Sequence, residues 1–415
     1  MMTREENELL CRVGPGSVMG EFLREYWVPA ARSAALEADG APMRVRLFGE
    51  NFVAFRATDG RVGFFDEGCP HRCTSLALAR NEDNALTCIF HGWKIDVSGK
   101  VVEVPSEPPE RRAEFAAKVR VRHYPVREAG GMAWVYLGKR SEPPPFYNFE
   151  FNQMPESQLM PQRAVLHCNW FQGMEAVLDS AHVGFLHRGS FNTMSADLRF
   201  ATMNSPTYEL IMKPYGFREG AVRDLGDGTY YARIRELVAP FYSFIPMASE
   251  DAHLMICAIP IDDEWNAQWY LRYYPNRPMT AADRTRLMQG NAPNLDNFAA
   301  TMGNSENLWN QDRKKMREGH WSGLPCFQYE DFTTQEAMGP IVDRTREYLG
   351  MSDLIVVRVR RMLLEAAREF KRSGKIAFAA DQPLDYSRIR AIAVRYPKQT
   401  SWRDIDSFAP PPQLP

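Results

Sequence analysis

Histidine is scarce in this 415-residue chain, with eight in all, and cysteine is rarer still, with seven at positions 11, 69, 73, 88, 168, 257 and 326. So odd and scattered a set of cysteines excludes a disulfide framework and points to reduced thiols. Charge of one sign is lacking too: 50 Lys and Arg stand against 52 Asp and Glu, for a formal net charge of −2. That balance supplies no basic field, so nucleic acid is not an expected partner. No apolar run approaches the about eighteen residues that a membrane-spanning helix needs, so no membrane partner is expected. The opening Met1-Met-Thr-Arg-Glu-Glu-Asn-Glu8 is acidic, unlike a secretory or mitochondrial presequence. A cytoplasmic enzyme of bacterial type is the expectation.

What is present is a 45% hydrophobic, 12% aromatic chain, long enough for two or three domains with a sizeable core. Residues 1–40 read as a lead-in with a short helical pattern around Glu21–Tyr26. Residues 41–145 carry strand signals at Met43–Leu47, Phe52–Phe55, Val62–Phe65, Trp93–Val97, Val119–Val126 and Met132–Leu137, with turns at Asp59-Gly60 and Ser98-Gly99. This is an all-β unit, and Pro105–Glu110 inside it reads as a surface loop. Glu142-Pro-Pro-Pro-Phe146 marks a domain boundary. Residues 146–415 follow with a helical segment at Phe171–His187 and strands at Thr207–Met212, Thr229–Leu237, Phe241–Ile245, Leu254–Ile259 and Gln268–Tyr274. Helices are predicted over Ala281–Gln289, Phe332–Tyr348 and Asp353–Phe370. The whole is α+β, its second part an antiparallel sheet flanked by helices.

The chemistry lies in the placement of a few residues. Cys69-Pro-His71 and Cys88-Ile-Phe-His91 are separated by sixteen residues, so each of two loops offers one thiolate and one imidazole. Such a set suits a [2Fe–2S] centre with two Cys on one iron and two His on the other. Zinc is the rival, since two Cys and two His can hold it tetrahedrally, although zinc fingers pair Cys with Cys and His with His. Exchanging thiolates for neutral imidazoles reduces the negative charge and raises the reduction potential.

Cys69-Pro-His71-Arg72 and Cys88-Ile-Phe-His91-Gly92-Trp93 resemble the Rieske motif of aromatic-ring-hydroxylating oxygenases. Cys73 departs from that pattern, which often has Gly there, and reads as a small packed residue. No second Cys stands beside Cys88, so the disulfide of respiratory Rieske proteins is absent.

A second set lies after the boundary: Glu175, Asp179, His182 and His187. Asp179 and His182 are i, i+3 neighbours on a helix. His182 and His187 are about 140° apart on an ideal helix and share a metal only if it is distorted, with Gly184 the suspected place. The segment resembles the E-x3-D-x2-H-x4-H motif of the same oxygenases. That resemblance implies that His182 and His187 bind a mononuclear non-haem Fe(II), with Glu175 close behind them. It also implies that Asp179 bonds a ligating His and bridges electron transfer to His91 of a neighbouring subunit. A facial triad needs one more carboxylate, and Asp312, Glu330, Asp331, Glu336 and Asp343 are candidates. Gln328–Pro340 resembles the family's E-D-x4-E-A region, which selects Asp331; Asp343 reads as a surface ion-pair residue.

The resemblance runs from Glu5 to Asp353 and falls nearest the phthalate dioxygenase-like, alpha-only subgroup. It implies an NADH-dependent reductase carrying flavin and an iron–sulfur centre, and a homotrimer or stacked hexamer. The expected reaction adds O₂ to an aromatic carboxylate, phthalate- or chlorobenzoate-like, to give a cis-dihydrodiol. Monooxygenation or O-demethylation of an aromatic acid is the nearest rival, and a non-catalytic Rieske electron carrier the rival from another class. A carboxylate in an apolar pocket calls for arginine, and Arg218, Arg233 and Arg235 are the candidates.

Overall fold

The structure is a computed structural model that describes residues 2–191, 206–247, 251–288, 294–410 and 412–414. Helices α1 (Arg4–Cys11) and α2 (Val18–Leu23) open the chain, each begun by a hydroxyl cap, Thr3 and Ser17. Such caps satisfy first-turn N–H groups that lack a partner within the helix. The lead-in then supplies a strand of its own: β1 (Val28–Arg32) pairs with β10 (Met132–Val135), which also pairs with β9 (Val126–Ala129). The first forty residues are therefore built into the fold.

Two more antiparallel sheets complete the N-terminal region. One has the order β2 (Met43–Leu47), β3 (Glu50–Arg56), β4 (Val62–Asp66), and the other β5 (Arg80–Glu82), β6 (Ala85–Thr87), β7 (Lys94–Asp96), β8 (Val101–Glu103). Their buried Val53, Phe55, Phe65, Leu76, Leu86 and Ile95 pack around Cys69, Cys88 and Trp93. Helix α3 (Arg112–Lys118) follows the Pro-rich loop. The expected strand over Val119–Val126 is instead extended chain joined by single bridges, Lys100 to Arg120 and Phe65 to His123. Its valines suit a strand, but no neighbour runs alongside long enough to ladder.

The second part is built on one antiparallel sheet with the order β11 (Leu159–Leu166), β17 (Asn266–Tyr273), β16 (His253–Pro260), β15 (Tyr242–Pro246), β14 (Thr229–Val238), β13 (Gly216–Asp224), β12 (Thr207–Lys213). Strand β18 (Ile392–Pro397) joins the start of β14. Alternation along β16 and β17 sends successive residues to opposite faces. Met255, Cys257, Trp269, Leu271 and Tyr273 enter the large core shared with Trp134 and Phe151. Leu254, Ile256 and Tyr270 face a smaller cluster with Phe298, Tyr329 and Phe332.

Over that second face lie α4 (Trp170–Leu178) and, after it, the one-turn helices α5 (Val183–Leu186) and α6 (Arg188–Phe191). Further on come α7 (Ala281–Met288), α8 (Arg313–Arg317), α9 (Phe327–Ala337) and α10 (Leu354–Ser373), which closes on Gly374 in the left-handed conformation. Gln289, the expected end of α7, lies outside the described residues. The helix predicted over Phe332–Tyr348 begins earlier, at Phe327, and ends at Ala337, where Gly339 (φ 87°) and Pro340 stop it. Among the described residues no helix is long and apolar enough to cross a membrane.

Candidate active site

The two Cys–His loops are built alike. In the first, Cys73 N donates to Cys69 O at 2.8 Å and Cys69 N to Thr74 O at 2.8 Å. In the second, Gly92 N donates to Cys88 O at 2.9 Å and Cys88 N to Trp93 O at 2.8 Å. The fifth residue of each loop is left-handed, Cys73 with φ 58° and Gly92 with φ 72°. Cys73 thus holds the position that glycine holds in the other loop, and it is exposed, not the packed residue expected from the sequence.

These turns put both thiols inside and both imidazoles outside. Cys69 and Cys88 are buried, whereas His71 and His91 are partly exposed. Nδ1 of His71 lies 3.1 Å from Nδ1 of His91. Trp93 stacks on His71, with ring centroids 4.6 Å apart, and donates from Nε1 to Ser106 Oγ at 3.0 Å. The Pro-rich loop is thereby fastened over the second Cys–His loop. Burial, with the Cys88 thiol beside it, pushes the Cys69 thiol up to about 11, so thiolate here needs a metal to replace the proton. Two converging Nδ1 atoms above two buried thiols fit a cluster with one S-ligated and one N-ligated iron.

The second set also comes together. Helix α4 ends at Asp179, whose backbone turns extended (φ −79°, ψ 129°). His182 then starts α5 and His187 ends it. The break that lets both histidines face one point therefore lies at Asp179–Ala181, upstream of His182, and not near Gly184 as expected. Asp331, on α9, completes the set: its Oδ1 lies 3.5 Å from His182 Nε2 and 3.1 Å from His187 Nε2. One ligand atom from each of His182, His187 and Asp331 lies within 4.8 Å of the others. Two imidazoles and one carboxylate are the donor set of a facial triad for Fe(II).

The far ring nitrogens are held as well. Asp179 Oδ2 stands 3.3 Å from His182 Nδ1, and its carboxylate also accepts from Ala181 N and His182 N. Burial alone would raise Asp179, but His182, with the Ala181 N–H and Arg235, outweighs it and holds the carboxyl below its ordinary value. Glu330 Oε2 lies 2.7 Å from His187 Nδ1, while Ser322 Oγ donates to Glu330 Oε1 at 2.5 Å. Burial opposes charge on His187, yet Asp331 and Glu330 prevail and raise it to about 9. Glu330 appeared in the sequence only as a candidate ligand; its place is behind the histidine.

Other expected residues lie elsewhere. The Glu175 carboxylate is taken by Arg344 at 2.7 Å and Arg360 at 2.6 Å, which anchors α4 to α10 and to the short turn at Arg344–Arg346. Asp312 caps α8. Glu336 accepts from Trp309 Nε1 and His167 N. Asp343 makes no salt bridge among the described residues; it caps a short turn through Thr345 N and Oγ1.

A cavity of about 120 Å³ adjoins the triad, lined by His182, Asp331, Arg233, Ile245, Ile256 and Tyr270 among others. Arg235 also lines it, but its guanidinium is occupied by Glu219 at 2.6 Å and by the carbonyls of Val177 and Leu178. Arg218 is not in the lining; it donates to Ile405 O, near Glu236. Arg233 is buried in the lining, and burial, with Arg235 beside it and against the opposing pull of Tyr231, lowers its pKa from the ordinary value. Arg272, unforeseen from the sequence, lines the cavity too. Its one signal was its phase with Tyr270 along β17.

Two candidate metal centres on this fold, one suited to a Rieske cluster and one to mononuclear iron, are the arrangement of a Rieske non-haem iron oxygenase, an oxidoreductase. Comparison with known proteins agrees. Residues 26–125 match the Rieske [2Fe-2S] domain and residues 135–410 the LigXa C-terminal domain like family. The phthalate 4,5-dioxygenase oxygenase subunit of Pseudomonas putida is 37% identical over 98% of this chain and 95% of its own. The 3-chlorobenzoate-3,4-dioxygenase oxygenase subunit of Comamonas testosteroni is 33% identical over 97% of each. The 5,5'-dehydrodivanillate O-demethylase oxygenase subunit of Sphingobium sp. (strain NBRC 103272 / SYK-6) is 30% identical over 97% of this chain and 88% of its own. The structure of Pseudomonas putida CBB5 NdmA with caffeine shares the fold, with a TM-score of 0.61 at 17% identity over 88% of this chain and 96% of that one.

The chain belongs to the aromatic-ring-hydroxylating Rieske oxygenases, in the phthalate dioxygenase-like group. Oxygenase subunits of this class use a Rieske [2Fe–2S] cluster and mononuclear iron, with NADH as electron source through a reductase.

Proposed function

We propose that the protein is the terminal oxygenase of a system that adds both atoms of O₂ to the ring of an aromatic carboxylate. The balanced change is arene plus O₂, NADH and H⁺ to cis-dihydrodiol and NAD⁺, with a flavin and iron–sulfur reductase between NADH and this chain. The observation that carries this reading is Arg233, a buried guanidinium in the same cavity as His182 and Asp331. Arginine stays charged when buried and matches a carboxylate bidentately, so the cavity favours an acid over a neutral ring. The two metal centres, once loaded, supply the electrons and the site of O₂ activation.

The chain's own residues orient and protect. Asp179 and Glu330 fix the ring planes and tautomers of His182 and His187. Ile245, Leu254 and Ile256 line the cavity and exclude water from beside the triad. His91 is partly open to solvent, and its neighbours Ile89 and Phe90 are exposed apolar side chains. Such a surface suits docking against Asp179 of the next subunit in a homotrimer, alone or stacked as a hexamer.

A single turnover tests the reaction without the reductase. Dithionite-reduced protein, freed of reductant, is mixed with ¹⁸O₂ and phthalate or 3-chlorobenzoate, and the product is weighed. Two labels in one dihydrodiol support the proposal. A single label, or loss of a methyl group from a methoxylated acid, supports monooxygenation or O-demethylation, the reading favoured by the likeness to the dehydrodivanillate O-demethylase subunit. No product from any aromatic acid would sink both.

A further inference from the structure

The cavity beside the triad is small for an aromatic acid. Its volume is about 120 Å³, whereas a cavity of about 150 Å³ is what takes up a bare benzene ring. Packed interiors hold little spare volume, so a ring with its carboxylate and any further substituent needs a wall that gives way.

Most of the lining is fixed. Ile245 on β15 and Leu254 and Ile256 on β16 are branched side chains on strands that pair with each other, and branching leaves them few rotamers. Phe327 stacks on His187, with ring centroids 3.7 Å apart. Gln335 accepts at Oε1 from Gln268 Nε2, and Arg235 and Arg272 are held by Glu219 and Gln162.

Met247 is different. It follows the last residue of β15 and is the only long, unbranched apolar side chain among the described lining residues. It packs against the cluster that contains Leu254, Ile256 and Tyr270, and also against a second cluster. In that second cluster it meets Met160 of β11, Met279 ahead of α7 and Met288 at the end of α7. Methionine makes up four of its eight members, in a chain with 20 methionines among 415 residues. Composition alone would put less than one there. A thioether chain turns about three bonds and fills irregular gaps, so a group of them re-packs around a guest with less strain than branched residues do.

We propose that Met247 is a specificity-determining residue: with Met160, Met279 and Met288 behind it, it forms the yielding wall of the cavity and sets how large an apolar ring substituent the aromatic acid can carry. This deepens the aromatic-carboxylate reading and rests on it. The wall carries no charge, so it sorts acids by bulk and leaves their anionic end to other residues.

The test is calorimetric binding to the anaerobic holoenzyme of benzoate and phthalate, and of the methyl and tert-butyl derivatives of each at ring positions 3 and 4. The wild type is expected to bind at least one methyl derivative as tightly as its parent acid, or up to about fourfold tighter, the worth of one buried methyl group. Met247→Ile puts a stiff side chain in the wall. It should weaken that derivative about 10- to 100-fold, the scale of overpacking a filled site, and leave the parent within about twofold. Met247→Ala removes bulk and should tighten a tert-butyl derivative about tenfold or more relative to its parent. Met160→Ile stiffens the layer behind the wall without touching the lining, so it should move the ratio of methyl derivative to parent in the same direction even if Met247→Ile does not fold. Parent and derivative weakened alike, or a ratio that none of the three variants moves, would overturn the assignment. Methyl derivatives all bound more than about tenfold weaker than their parents by the wild type would mean a rigid wall. That result would overturn the assignment while leaving the aromatic-acid reading standing. Failure of every acid in the series to bind would overturn it, and failure of methoxylated and chlorinated benzoates besides would remove the aromatic-acid reading too.

Discussion

His187 and Glu330 form a fully buried pair, with Nδ1 and Oε2 2.7 Å apart and neither side chain exposed. A carboxylate behind a ligating imidazole fixes its orientation and makes the other nitrogen a better donor. Replacing Glu330 with Gln keeps the shape and removes the charge. Iron affinity at the mononuclear site is expected to fall about 10- to 100-fold, read by competition with a chelator. The cluster's absorption should stay unchanged, since Glu330 touches none of its ligands.

Asp179 stands behind the other histidine, and unlike Glu330 it is not fully buried. Asp179→Asn should leave iron and sulfide per chain unchanged while product per reduced cluster falls about 10- to 100-fold. Stopped-flow reoxidation of the cluster with product analysis separates these quantities. Normal turnover by this variant would remove Asp179 from the electron route.

How much of this was legible beforehand depended on whether the signal was local. Cys69, His71, Cys88 and His91 could be read because each loop carries its own pair, and the loops do come together. His182 and His187 could be read as a pair, yet the place of the helix break could not. It is set by Asp179, which accepts the backbone N–H groups of Ala181 and His182 in place of continuing α4. Strand β13 was missed because its buried Glu219 and Arg223 look like surface charges until Arg235 appears on the facing strand. The same long-range pairing removed Arg235 from the free arginines, and Arg344 with Arg360 removed Glu175 from the metal. Charges that are satisfied far away in sequence are invisible to spacing.

Cys73 carries a side chain where the equivalent Gly92 has none, both left-handed. The left-handed conformation costs a non-glycine residue about 1–2 kcal/mol, and glycine returns part of that gain as unfolded-state entropy. Cys73→Gly should therefore raise holoprotein stability by up to about 1 kcal/mol, seen as a higher Tm with an unchanged cluster spectrum. Gly92→Ala should do the opposite, because its added Cβ would also lie 2.8 Å from Pro105 Cγ.

Glu175 accepts from two buried arginines, and they outweigh its burial to hold the carboxyl below its ordinary range. Breaking such a pair leaves buried cations unmatched. Glu175→Gln is expected to destabilise the fold by about 3–5 kcal/mol, measured by denaturant unfolding. Iron per folded chain should not change. Selective loss of the mononuclear iron would instead place Glu175 at the metal.

His253, at the start of β16 beside Tyr273, gives the fold a defined acid sensitivity. Burial, with Arg390 nearby, lowers it to about 4 from the ordinary 6.5. Between those values the unfolded chain binds a proton that the folded chain refuses. Stability from this group is therefore complete above about pH 6.5 and is lost as pH falls toward 4, by at most about 1.4 kcal/mol per unit of displacement. His253→Phe removes the titrating group and should flatten the Tm profile between pH 6.5 and 4. An equally steep profile in the variant would place the acid sensitivity in the paired carboxylates, whose lowered pKa values act in the same direction.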